Sequence, residues 1–188
     1  MLLRNRMLMG GYRKPPMFTT GAGPGTITPN AAGYAMSGFA DTCFAWLDAP
    51  KTQGKWYWEV VKQAAHGLFG IADDVVTAVT YGGYSSVNAG IYTTTPNLWA
   101  DGGWSGASWG AGWGGGAVAN GDVLGFALDV DGKSLSIYQN NTLAAVLTWT
   151  SGPTALWPMM AFQFGPSAQA NLGPSGCAYA APAGHNYL

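Results

Sequence analysis

Residues 121–147 read GDVLGFALDVDGKSLSIYQNNTLAAVL, and this stretch decides the fold class. In its first part, apolar side chains recur at every second position, namely Leu124, Phe126, Leu128 and Val130. Such alternation predicts a β-strand with one buried face. Asp131-Gly132 and Asn140-Asn141 are residue pairs that tolerate a positive φ, and each pair predicts a tight turn. The stretch therefore predicts three antiparallel strands, joined as a meander that ends near Trp149.

Short strand patterns continue on both sides of the meander. The predicted strands are Cys43–Leu47, Lys55–Lys62, Leu68–Ala72, Met159–Phe164 and Ala168–Leu172. A Gly165-Pro166 turn is predicted between the last two. No apolar pattern keeps a period of 3.6 over ten or more positions, so we expect helices to be short or absent. Many short strands separated by glycine and proline predict an all-β sandwich.

The composition is typical of an aromatic core and a weakly charged surface. Charged residues make up 9% of the chain, whereas a typical soluble domain has about 25%. Apolar bulk comes from 9 Trp, 9 Tyr and 7 Met. No apolar run approaches the roughly 18 residues of a membrane helix, and Met1–Gly10 lacks the apolar core of a secretory signal. We therefore expect no signal peptide, no transmembrane segment and no membrane partner.

The N-terminal segment differs in charge from the rest of the chain. Half of the eight basic residues lie in the first fourteen positions, whereas all nine acidic residues lie between Asp41 and Asp131. This arm therefore carries a charge of +4 and the remainder of the chain −5. Apolar residues are interleaved with the basic ones, which favours docking on a protein over binding to a nucleic acid. The predicted partner-binding residues of the arm are Arg4, Arg6, Leu8, Arg13 and Lys14.

The arm continues into a segment rich in Gly, Pro, Thr and Ala. Residues 15–38 read PPMFTTGAGPGTITPNAAGYAMSG and show neither hydrophobic period. This composition predicts an extended linker. The predicted organisation is an extended arm and linker over residues 1–38, followed by a β-sandwich over residues 39–188.

The sequence contains no strong catalytic or metal-binding motif. Cys43 and Cys177 lack CxxC spacing and are interpreted as buried free thiols, with a disulfide as the alternative. His66 and His185 have no second ligand at metal-binding spacing, so we expect no zinc site. The sequence DVDG at 129–132 matches part of a calcium loop, but the other ligands are missing and the pair already serves a turn. With no nucleophile elbow or phosphate loop, we expect neither an enzyme nor a cofactor.

Four segments, in this order, resemble the SPRY domain family. They are GKWYWEV (Gly54–Val60), GLFGIADD (Gly67–Asp74), residues 121–147, and the closing segments within Trp157–Gly184. The resemblance implies a bent antiparallel β-sandwich of the jelly-roll type. It also implies an interaction module without catalytic residues. Residues Thr93–Gly106 and the arm have no counterpart in the family pattern, so the resemblance leaves the identity of the partner open.

Four tryptophans lie in a glycine-rich segment between the predicted strand Leu68–Ala72 and the meander, namely Trp99, Trp104, Trp109 and Trp113. Their flat apolar rings, each with one hydrogen-bond donor, suit a sugar ring or a protein hot spot. Trp109 and Trp113 are expected to pack on the sandwich, whereas both packing and binding stay open for Trp99 and Trp104. The predicted ligand- or partner-binding residues of the loops are Tyr81, Tyr84, Tyr92, Trp99 and Trp104.

Two hypotheses of function remain. The first is a non-catalytic protein-interaction or assembly module, which the arm fixes in a homo-oligomer or in a larger structure. The small size, low charge and abundance of glycine and tryptophan resemble phage virion components such as tail-fibre, head-fibre or decoration proteins. The expected location is then the virion, and otherwise the cytoplasm. The alternative is a lectin-like module that binds a glycan through the loop tryptophans.

Overall fold

The computed structural model describes residues 18–20, 26–37, 43–47, 49–72, 88–93, 96–100, 108–109, 113–149 and 155–188. Over these residues the chain forms thirteen β-strands and no helix. The strands are β1 (Phe18–Thr20), β2 (Thr26–Pro29), β3 (Gly33–Ser37), β4 (Cys43–Leu47), β5 (Lys55–Ala72), β6 (Asn88–Tyr92), β7 (Asn97–Ala100), β8 (Ser108–Trp109), β9 (Val123–Asp129), β10 (Ser134–Gln139), β11 (Thr142–Thr148), β12 (Trp157–Asn171) and β13 (Asn186–Tyr187). The predicted all-β class is confirmed.

Two long strands, β5 and β12, connect the sheets of the sandwich. The first part of β5, Lys55–Val61, pairs with β9, and its last part, Leu68–Ala72, pairs with β6. Likewise, β12 pairs with β4 through Met159–Phe162 and with β3 through Ala168–Asn171. The two long strands also pair with each other in both parts. Because each strand passes from one sheet into the other, the fold is the bent antiparallel β-sandwich expected from the sequence.

The bend of β12 contains the Gly165-Pro166 pair. The sequence predicts a turn there between two separate strands, but β12 is continuous and its register against β5 shifts between Gln163 and Ala168. Proline has no N–H to donate to a β-ladder, so a local irregularity is the expected effect of Pro166. The predicted turn is therefore corrected to a bulge within one strand.

The strand order places β1 at an outer edge. One sheet has the order β1-β4-β12-β5-β6-β7, and the other has β2-β3-β12-β5-β9-β10-β11-β8. β1 pairs with β4 from Phe18↔Leu47 to Thr20↔Ala45. β13 lies parallel to the start of β5, with Asn186 opposite Trp56.

The predicted meander is formed by β9, β10 and β11. Asn140 and Asn141 have φ values of 48° and 66°, as the second predicted turn requires. In the first turn the positive φ of 52° falls on Lys133 and not on the predicted Asp131-Gly132 pair. Gly132 has another role, because a Cβ there would come within 2.5 Å of an Asp129 carboxylate oxygen.

Buried side chains from both sheets form one hydrophobic core. Trp58 is only 1% exposed, and its ring stacks on that of Phe126 with 5.3 Å between centroids and 13° between planes. Val60 is buried in the same core, and Trp56 packs against it while partly exposed. Trp56, Trp58 and Val60 therefore lie on the core side of β5, while Tyr57 and Glu59 are buried on its other side.

The linker prediction is wrong for residues 26–37. These residues form β2 and β3, and β3 pairs with β12 from Ala168↔Met36 to Asn171↔Gly33. Tyr34 and Met36 are buried in the core. A tight turn connects the two strands, with Asn30 and Gly33 joined by two backbone hydrogen bonds. Residues 18–20, also within the predicted linker, form β1, and residues 1–17, 21–25 and 38 lie outside the described part of the chain.

Candidate binding site

Two of the predicted stacking residues lie on the β6–β7 hairpin. The register places Trp99 opposite Gly90 and Tyr92 opposite Asn97. Ile91 is buried in the core, and its partner Leu98 packs against the core while partly exposed. Because successive strand residues alternate between faces, the backbone positions of Tyr92 and Trp99 share the face directed away from the core. The structure therefore brings these two predicted positions together.

A row of cross-strand partners runs over five strands to Trp99. From β4 to β7, the register aligns Trp46, Met159, Gly70, Gly90 and Trp99. A Cβ on Gly70 would overlap the carbonyl oxygen of Ala89, and a Cβ on Gly90 would overlap that of Phe69. The two glycines therefore permit a close approach of β5 and β6. Trp46, at the other end of the row, was missed because the sequence alone does not reveal the register.

The other predicted site residues lie outside the described part of the chain. They are Arg4, Arg6, Leu8, Arg13, Lys14, Tyr81, Tyr84 and Trp104. Their proposed roles stay predictions. Trp113 is described, and it packs against the core as expected, with its indole N–H donating to the Gly116 carbonyl at 2.9 Å.

A pocket of about 260 Å³ lies beside the β2–β3 turn. One wall is the turn itself, residues 29–34, and the other comes from Leu172, Gly173, Ser175 and Leu188. None of the lining side chains carries a charge. The pocket could not be predicted while residues 15–38 were interpreted as a linker. The Asn30-Ala-Ala-Gly33 turn signature between two short alternating stretches was the signal available.

The amide of Asn30 holds the pocket wall in place. Its oxygen accepts the N–H groups of Ala32 at 3.0 Å and Gly33 at 2.9 Å, and its nitrogen donates to the Gln169 side chain at 2.7 Å. Gly33 has a φ of 150°, and a Cβ there would overlap the carbonyl oxygen of Ala170. The turn is therefore fixed against β12, and the pocket is a preformed feature of the fold.

The C-terminal segment, residues 177–188, covers the face of β5 that is directed away from the core. The buried Glu59 carboxylate accepts the backbone N–H groups of Ala178 at 2.6 Å and Tyr179 at 2.9 Å, and also the Tyr57 hydroxyl at 3.0 Å. The Tyr187 ring meets the Tyr57 ring edge-on at 6.0 Å. Glu59 therefore anchors the C-terminal segment.

Two further groups under this segment titrate abnormally. Burial is the main cause that raises the pKa of Cys177 from 9.0 to about 12, and the charge of Glu59 adds to it. Burial, and then Glu59, also raises the pKa of Tyr57 above its ordinary value. Cys177 is a free thiol, as predicted, although it is only half-buried. The thiol of Cys177 is protonated at neutral pH, and this makes it a poor nucleophile.

The carboxylates of Asp122 and Asp129 stabilise turns of the meander. Partial burial alone would raise the pKa of Asp122, but hydrogen bonds from Asn140, the Ala119 N–H and Gln139 outweigh it and lower that pKa. Burial alone would also raise the pKa of Asp129, but Lys55 outweighs it and lowers that pKa. The ammonium group of Lys55 lies 2.8 Å from the carboxylate. Each of these acids thus has a structural role.

The turn interpretation of residues 129–132 agrees with the geometry. Asp129 accepts the Gly132 N–H at 2.7 Å, and Asp131 accepts the Gly54 N–H at 2.9 Å. Among the described residues, no three potential ligands come together to hold a metal ion. Over the same residues, no helix is long and apolar enough to cross a membrane.

Known structures share this fold. The SPRY domain of human HERC1 matches with a TM-score of 0.56 and 12% sequence identity, over 77% of this chain and 91% of that domain. The carbohydrate-binding module CBM66 from Bacillus subtilis matches with a TM-score of 0.53 and 12% identity, over 82% of this chain and 91% of that module. No family model and no curated protein matches the sequence. The comparisons therefore confirm the SPRY-like β-sandwich as a fold.

Proposed function

We propose that the chain is a non-catalytic protein-binding module that its N-terminal arm fixes in an assembly of several copies. The observation that supports this most directly is the position of β1. In the described part of the chain β1 is the outermost strand of its sheet and pairs with β4. The arm therefore joins the body at a sheet edge, from which it can reach a neighbour. Its charge of +4 complements the −5 of the remainder.

The described acidic residues all have structural contacts. Glu59 holds the C-terminal segment, Asp122 and Asp129 stabilise turns, and Asp131 accepts the Gly54 N–H. The SPRY domain that shares the fold is also consistent with an interaction module. The hypothesis that the assembly is a phage virion, with this chain as a tail-fibre, head-fibre or decoration protein, stays a prediction.

Neutralising the arm tests this proposal. The fourfold variant Arg4→Gln, Arg6→Gln, Arg13→Gln and Lys14→Gln removes the charge of the arm and keeps its length. We expect sedimentation velocity to show a weaker assembly, and the wild-type assembly to weaken as salt rises, since screening acts on exposed charges. A matched control, Lys133→Gln, removes a positive charge from the meander. Equal assembly of the fourfold variant and the wild type would contradict the proposal.

Carbohydrate binding is the second candidate function. It is favoured by the β6–β7 hairpin, where the backbone positions of two aromatic residues, Tyr92 and Trp99, share the face directed away from the core, because aromatic residues are suited to stacking on a sugar ring. The fold shared with a carbohydrate-binding module is consistent with it. A glycan array followed by titration tests this candidate. Binding that is lost in the double variant Trp99→Ala and Trp104→Ala, with an unchanged melting temperature, supports it, and a blank array rejects it.

A further inference from the structure

The outer edge of β2 has backbone groups that no other strand of the described part of the chain pairs with. Asn30 and Gly33 exchange both backbone hydrogen bonds, at 2.9 and 3.3 Å. Bonded and non-bonded pairs alternate along an antiparallel hairpin, so the backbone groups of Ile27 and Pro29 point away from β3. Within the described residues, β3 is the only strand that pairs with β2. The edge therefore presents the N–H of Ile27 and the carbonyls of Ile27 and Pro29.

The uncharged pocket is continuous with this edge. Pro29 belongs to β2 and also lines the pocket, and Asn30 follows it directly. Thr28, Pro29 and Asn30 are exposed, so the edge is accessible beside the pocket. Apolar atoms of Pro29, Leu172 and Leu188 contribute to the lining. A volume of about 260 Å³ accommodates one aliphatic side chain, and the absence of charge disfavours an ionic one.

We propose that the β2 edge and this pocket receive the arm of a second copy of the chain as an added strand. Backbone hydrogen bonds to the edge would supply affinity, and one aliphatic side chain in the pocket would supply register. This inference rests on the proposed function and assigns the surface that the arm binds. The same pairing by an unrelated extended peptide is the alternative occupant.

The arm has the chemistry that this surface requires. Unbranched or γ-branched apolar residues stand at Leu2, Leu3, Met7, Leu8 and Met9, and none of them is too bulky for the pocket. In an extended strand, alternate side chains point to the same side, so one of these residues can enter the pocket while basic neighbours stay in water. Seventeen residues precede Phe18 and span at most about 60 Å. That reach is sufficient for a neighbouring copy.

Two pairs of variants in the full chain test the surface. Ile27→Pro removes the outward N–H, and Ile27→Ala is its control, which keeps the N–H and loses the same side-chain contacts. Ser175→Phe fills the pocket from an exposed position, and Ser175→Ala leaves it open. We expect sedimentation velocity to show at least a tenfold weaker assembly for the proline and phenylalanine variants, and less than a threefold change for their controls. Melting temperatures establish that all four variants fold.

A fluorescent synthetic peptide with the sequence of residues 1–14 identifies the occupant. We expect it to bind the dilute full chain, to compete with assembly, and to lose binding to Ser175→Phe but not to Ser175→Ala. If neutralising the arm weakens assembly while Ile27→Pro and Ser175→Phe assemble normally, this docking site is wrong and the proposed function stands. A chain that stays monomeric and does not bind the peptide overturns both proposals. A monomer that binds the peptide at this surface overturns docking between copies.

Discussion

The Glu59 carboxylate, buried in the first part of β5, accepts the backbone N–H of Ala178 at 2.6 Å. A second N–H, from Tyr179, is 2.9 Å from the other carboxylate oxygen. A residue of β5 thus holds a segment about 120 positions further along the chain. Burial of a carboxylate is costly without such partners, so the pairing fixes where the C-terminal segment lies.

We predict that Glu59→Ala destabilises the protein by about 3–5 kcal/mol, because it leaves two partly buried N–H groups without their acceptor and creates a cavity at a fully buried position. Glu59→Gln keeps one acceptor oxygen and should cost less, about 1–3 kcal/mol. Urea denaturation measures both free energies of unfolding. Limited proteolysis should cut residues 177–188 faster in the alanine variant. Similar denaturation midpoints for wild type and Glu59→Ala would mean that the anchor contributes little.

Truncation of Trp58 tests the assignment of the core. Its indole is 1% exposed and stacks on Phe126, so Trp58→Ala should cost about 3–5 kcal/mol, as other large-to-small core changes do. Trp58→Phe keeps a ring against Phe126 and should cost less. The readout is the denaturant midpoint of the two variants against wild type. An unchanged midpoint in Trp58→Ala would show that this strand face is not in the core.

Gly33 tests whether the β2–β3 hairpin belongs to the folded body. We predict that Gly33→Ala destabilises by more than about 1 kcal/mol, because its φ is 150° and the new Cβ would overlap the Ala170 carbonyl. Gly116→Ala is the matched control, since nothing lies within 4 Å of the Cβ it would add. Its change should stay within about 0.5 kcal/mol. Thermal melting compares the two, and equal melting temperatures would indicate that the hairpin does not contribute to stability.

Alkaline pH should weaken the fold through Cys177 and Tyr57. Both groups have a pKa raised in the folded state, so their contribution to stability is complete below the pKa of the unfolded chain. For Cys177 that contribution is lost as the pH rises from 9.0 towards about 12. We expect Cys177→Ala to flatten the decline of the unfolding free energy over this range. A Cys43→Ser background leaves one thiol, which iodoacetamide should label slowly at pH 8.5 until urea is added.

The first strand of the meander could be predicted from sequence because large apolar side chains recur there at every second position. Leu124, Phe126 and Leu128 alternate with less apolar neighbours, and the two asparagines at 140 and 141 mark a turn. The continuity of β5 and of β12 through their bends could not be predicted, since two separate strands and the two halves of one bent strand show the same period. The β2–β3 hairpin was missed because its strands are short and glycine and proline surround them.

The binding surfaces were less predictable than the fold. Tyr92 and Trp99 were selected for their chemistry, and the register then placed them on adjacent strands. Trp46 and Met159 join the same row only through pairing across β4, β12 and β5. The pocket depends on the contact of residues 29–34 with residues 172–175, which are about 140 positions apart. Sequence spacing carries no information on such a contact without the fold.

The solution mass of the full chain, compared with that of a chain lacking residues 1–14, tests the central claim most directly. The two proteins are measured by sedimentation velocity over the same concentration range, with thermal melting to establish that the truncated body is folded. We predict an assembly of several copies for the full chain, and a folded monomer after truncation. A truncated protein that still assembles, or a full chain that is monomeric throughout, would contradict the account.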